Sequence, residues 1–137
     1  LTSNILLQRI RQHQNLRDLR NKLLHLHRML LDTERITYEQ VRGRVTNAQL
    51  LQLVIDHEQF AWLHRLSELI VQIDEMLQGD EPISTEDVES LIAYTCTLLT
   101  PSETGDVFAR KYYNALQSEP GAVMAHAEVS EVLASIK

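Results

Sequence analysis

The chain has 137 residues, 44% of them hydrophobic but only 5% aromatic, with four Gly and three Pro. A chain of this length buries about two-thirds of its unfolded surface around one core, and a Leu-rich, breaker-poor composition favours helices over strands and turns. The formal net charge of −6 repels phosphate at long range, and the single cysteine, Cys96, excludes an internal disulfide and any CxxC metal or redox motif.

No apolar run approaches the roughly 20 residues that cross a bilayer, and no charged-then-apolar leader opens the chain, which starts at Leu1 and leaves a preceding segment open. The expectation is a soluble, cytoplasmic, all-α protein forming a single helical-bundle domain over residues 1–137, with four to five helices, two of them long and amphipathic. Charge is divided unevenly: residues 1–45 carry nine Arg or Lys and four Asp or Glu, a net of +5, and residues 46–137 carry a net of −11. The simpler reading packs a basic first helix against acidic neighbours in its own bundle. The functional reading turns its Arg face toward an acidic partner.

The first helix is expected over about residues 4–42. Leu16, Leu19, Leu23, Leu26 and Leu30 recur at spacings of three and four, which places them on one stripe as a packing seam. Leu24 and Leu31 widen it. Ile5, Leu6 and Ile10 continue the apolar pattern only loosely, so the amino-terminal turns are expected to fray or to need a partner. The β-branched pair Ile36 and Thr37 suggests a kink, and Gly43 after Arg42 reads as a left-handed cap.

The second helix is expected at about 47–77, opened by the capping box Thr46-Asn47-Ala48-Gln49. Its apolar set is broader than one packing face requires: Leu51, Ile55, Trp62 and Leu69 lie off the stripe formed by Leu53, Phe60, Leu63, Leu66, Ile70 and Ile73. Such a helix is either central in its bundle or covered by a second copy. After the turn Gln78-Gly79-Asp80-Glu81-Pro82, Ser84 or Thr85 caps a third helix at about 85–99, with Val88, Leu91, Ile92, Thr95, Leu98 and Leu99 inward. Thr104 is expected to cap a fourth at about 105–117, with Val107, Phe108, Tyr112 and Leu116 inward. A last helix at about 120–136 carries Val123, Val129, Val132, Leu133 and Ile136.

Chemistry is thinly marked. His57 and His64 are two turns apart with Glu68 one turn further, a stripe that forms a metal site only if another helix adds ligands, with His27, Glu34, His13, His25 and His126 as the available donors. Neither a Glu-x-x-His pair nor His-Glu-x-x-His is present, so the preferred reading is histidines packed beside core Leu, with no metal and no cofactor. No nucleophile elbow or Gly-rich phosphate loop occurs, Cys96 reads as a small helical residue, and no catalytic residue is assigned.

The segments Tyr38-Glu39-Gln40-Val41-Arg42-Gly43-Arg44-Val45, Leu50-Leu51-Gln52-Leu53-Val54, Phe60-Ala61-Trp62-Leu63, Leu66-Ser67-Glu68-Leu69-Ile70 and Ile73-Asp74-Glu75 resemble those of a group of uncharacterised bacterial all-helical proteins. The resemblance spans about the first half of the chain, rests on packing residues, and implies a bacterial, helical, cytosolic protein without bringing an activity. The function expected from the residues is non-enzymatic protein–protein interaction, homodimeric or with another protein, through Leu51, Ile55, Trp62 and Leu69 and the basic residues Arg17 and Arg20. The alternatives are metal binding at His57, His64 and Glu68, and anion or nucleic-acid binding by the Arg-rich first helix. Nucleic acid is disfavoured because aromatic and basic residues are not interleaved.

Overall fold

A computed structural model describes residues 2–136, and the described residues are helical with short connections. α1 (Thr2–Arg42) runs unbroken for 41 residues, roughly 60 Å at the usual helical rise. The helix does not break at Ile36-Thr37. The Thr33 hydroxyl donates to the Met29 carbonyl and the Thr37 hydroxyl to the Thr33 carbonyl, both at 3.0 Å, so these residues satisfy themselves along the helix instead of interrupting it. α1 stops at Gly43, whose φ of +83° is open to glycine at little cost. Its N–H donates to the Glu39 carbonyl at 2.9 Å, and the Glu39 carboxylate accepts the Val45 N–H.

The five seam leucines, Leu16 to Leu30, are all fully buried and form the axis of the core. α1 packs most extensively on α6 (Pro120–Ile136) and then on α3 (His64–Gln78). Ala122 and Ala125 lie fully buried on α6, and a Cβ on Gly121 would run into the end of the Met29 side chain. These small residues let α6 approach α1 closely.

The single helix expected at 47–77 is three pieces. α2 (Asn47–Asp56) begins with the capping box as read, Thr46 Oγ accepting the Gln49 N–H and Gln49 Oε1 accepting the Thr46 N–H. At His57 the backbone is extended, with φ −85° and ψ 134°. His57 Nδ1 accepts the Gln59 N–H at 3.1 Å, acting as the cap of a 3-10 segment, Glu58–Leu63, that leads into α3. A His ring cap and edge contacts of that ring with Tyr38 and Phe60 outweigh the apolar periodicity that runs through the break. Helical spacing alone carries no signal of a side chain competing for its own backbone.

α4 (Thr85–Leu98) is capped by Ser84, and buries Val88, Leu91, Thr95 and Leu98. It is not among the closely packed helix pairs. α5 (Val107–Ser118) starts two residues later than the expected cap: Asp106, not Thr104, accepts the Ala109 N–H. The Ala109 N–H and the Arg65 guanidinium together hold the Asp106 carboxyl below the usual carboxylate range. Phe108 and Tyr112 face inward, while Val107 is exposed rather than inward as expected, and Val123 of α6 is exposed too. Among the described residues no helix is long and apolar enough to cross a membrane.

Candidate protein-binding surface

α2 is half apolar, yet none of its residues is buried. Leu50, Leu53 and Val54 are half-buried toward the 3-10 segment, whereas Ala48, Leu51 and Ile55 are exposed. Those three recur at spacings of three and four and therefore share one outward stripe. Leu51 is 62% and Ile55 58% exposed. The carboxyl end of α1 adds two more exposed apolar side chains, Ile36 and Val41, the latter 80% exposed. Val41 continues the line of the Leu seam past the point where the bundle covers it. Its helical spacing marks it as core, and only the shape of the neighbouring helices reveals that nothing lies over it.

Several expected interface residues lie elsewhere. Trp62 is buried by its own chain, its ring 5.3 Å from that of Phe108 on α5. Leu69 is 1% exposed on α3 and belongs to the core. The break at His57 and the 3-10 turn free Trp62 from the side of the helix that carries Leu51 and Ile55 and set it against α5, whereas Leu69 lies three residues after Leu66 and four before Ile73, on the face that α3 buries. Arg20 is half-buried and ion-paired with Asp74 of α3, so it joins two helices of the bundle. Lys22 does the same with Glu128 of α6 at 3.4 Å. Arg17, by contrast, is exposed and makes no ion pair among the described residues. Leu51, Ile55 and Arg17 thus remain available for a partner; Trp62, Leu69 and Arg20 are committed to the fold.

Four of the six histidines, His27, His57, His64 and His126, are engaged within the fold. His57 caps the 3-10 segment. His64 Nε2 donates to the Val54 carbonyl at 2.6 Å, tying α3 back to α2. Glu68 is exposed beside His64, Ser67, Val71 and Gln72 around a shallow depression that His57 does not reach. Among the described residues no three metal-ligating side chains gather. His27 Nε2 pairs with the Ser67 hydroxyl at 2.9 Å, and Gln59 bonds Glu34, so these two supplementary donors on α1 are engaged as well. Ser67 also donates to the Leu63 carbonyl along its own helix, the ordinary geometry of a mid-helix serine.

His126 Nδ1 accepts from the Tyr112 hydroxyl at 2.6 Å. Burial pushes the Tyr112 phenol up and the imidazoles of His27 and His126 down, favouring the neutral form of each. Neutral rings joined to hydroxyls between helices are structural ties, and nothing around them holds a reacting atom. No protein-family model, curated protein or solved structure matches the chain.

Proposed function

We propose that the protein is a non-enzymatic helical bundle that acts by binding another protein, with the outward stripe of α2 as its docking surface. The observation that carries this reading is a capped, well-formed helix with no buried residue and with Leu51 and Ile55 more than half exposed. A helix of ten residues is marginal in water on propensity alone, so α2 is held by its cap, by the His64 tie and by half of its apolar surface. The other half is left for a partner. An apolar stripe edged by polar residues is the usual core of such a docking site, and the fitting partner is an amphipathic helix laid along it, from a second copy or another protein. The resemblance of residues 38–75 to helical bacterial proteins supports a bacterial, cytosolic setting.

Immobilised wild-type protein and a Leu51→Ser/Ile55→Ser variant, passed over extract from the source cells, test the reading. Wild type is expected to retain one protein at near-stoichiometric yield, and the variant to lose it while melting at the same temperature. Equal retention by both, or none by wild type, refutes the α2 surface.

A further inference from the structure

The amino-terminal turns of α1 form a second open surface, unrelated to α2. Ile5, Leu6, Leu7 and Ile10 are 47–58% exposed. Their orientation decides what can cover them. At about 3.6 residues per turn, Leu6 and Ile10 lie roughly 140° round the helix from the buried seam, so extending the bundle along α1 would not bury them. Arg17 falls on the same stripe, two turns beyond Ile10, and none of residues 1–17 is Asp or Glu. The ridge is therefore apolar and basic, and the Arg9, Arg11 and Arg17 side chains have no ion-pair partner among the described residues.

Beside the base of this ridge is an unfilled groove of about 660 Å³. α4 and α6 supply its apolar wall, including Val88, Ile92, Cys96 and Ile136, and Glu89 stands on that wall. Glu86, three residues before Glu89 on α4, is exposed on the same helical face. α1 supplies the opposite wall through Gln8, Arg11, Gln12 and Asn15, of which Gln8, Gln12 and Asn15 lie nearly opposite Leu6 and Ile10 on the helix. At its edge a long Gln12–Thr85 bond of 3.5 Å joins α1 to α4.

We infer that the occupant of this groove is the amino-terminal part of α1 from a second copy of the chain, exchanged reciprocally about a two-fold axis. An antiparallel partner helix between the two walls turns its Gln8 and Gln12 side toward the equivalent residues of the first copy. It then turns Leu6, Leu7 and Ile10 toward Val88, Ile92 and Cys96. The same contact arises in both grooves, as an isologous dimer requires. Charge agrees: the ridge brings Arg17 to the side of Glu86 and Glu89, joining the basic part of one copy to the acidic part of the other. An anionic lipid surface would also attract a basic apolar ridge, but it leaves the groove and Glu89 unused.

Cys96, the only cysteine, lines the groove and reports its occupant directly. A benzophenone attached to the Cys96 thiol is photolysed in a mixture of unlabelled and nitrogen-15-labelled protein. Crosslinks of mixed isotope composition that map to residues 2–13 are expected, together with a light-scattering mass twice the 15.8 kDa of the chain. Leu6→Glu/Ile10→Glu is expected to abolish both without changing the melting temperature. Arg17→Glu and Glu89→Arg should each raise the dimer dissociation constant about tenfold, and their combination should restore it. A monomer at all concentrations, crosslinks confined to one copy, or a monomer whose ridge binds phosphatidylserine vesicles instead overturns the inference. Dimer loss in Leu51→Ser/Ile55→Ser with no effect of the ridge variants overturns it too, while leaving the α2 surface standing. These residues are separate from the α2 stripe, so the two readings fail independently.

Discussion

Replacing Trp62 with alanine separates a core residue from an interface residue. Trp62 is 7% exposed and packs at a tilt of 58° against Phe108, which in turn lies beside Tyr112. Truncation removes the whole indole from this aromatic row, and changes of that size in a core cost about 3–5 kcal/mol. For a domain of this length the loss corresponds to a fall in melting temperature of roughly 10 °C. The indole Nε1 is buried without a hydrogen-bond partner among the described residues, so Trp62→Phe loses volume but no hydrogen bond and also removes a desolvated donor. It should cost less than about 1.5 kcal/mol. Circular dichroism melts of the three proteins check both numbers, and the fluorescence of the sole tryptophan in wild type should shift to the red on unfolding. A Trp62→Ala protein that melts within about 2 °C of wild type would refute the assignment of Trp62 to the core.

Gly43→Ala should lower stability by about 1 kcal/mol through backbone strain alone, since nothing lies within 4 Å of the site of a Cβ; a denaturant titration with unchanged slope and lower midpoint confirms it, and an unchanged midpoint contradicts it. Arg20→Ala is expected to destabilise by about 1 kcal/mol through loss of the half-buried Asp74 pair, leaving any association constant unaltered, as parallel melts and light scattering would show. Stability should also fall with acid in the histidine range. Burial keeps the folded pKa of His27 and His126 below the unfolded value of about 6.5. The unfolded chain therefore takes up more protons as pH drops through that value, and stability decreases with it, whereas above it this contribution is complete. Melting temperature should decline between about pH 7 and pH 5, with a smaller decline in His27→Gln/His126→Gln; an equal decline in both proteins would assign the effect elsewhere.

The helical class and the Leu16–Leu30 seam were legible because five identical apolar residues at helical spacing admit no other period, and the Thr46 box because its two side chains act on adjacent backbone. The break at His57 was not legible. Apolar residues continue at helical spacing on both sides of it, and the cap that creates it is a histidine ring rather than one of the usual Ser, Thr, Asp or Asn side chains. That one break separates Trp62, which is inside, from Leu51 and Ile55, which share its side of a continuous helix and are outside. Leu69 needs no break: it lies three residues after Leu66 and four before Ile73, on the buried face of α3. Arg17 and Arg20 looked equivalent in a run of charges, and only the position of Asp74 on α3 distinguishes them. The groove beside α4 has no sequence signature, since it depends on how far α4 stands from α1.

Photo-crosslinking in cells from a benzoylphenylalanine placed at Leu51, compared with one at the exposed polar position Gln72, tests the α2 docking surface most directly. The account predicts one adduct of constant mass from position 51, lost when Ile55→Ser is added, and none from position 72. No discrete adduct from position 51, or the same adducts from both positions, would contradict it.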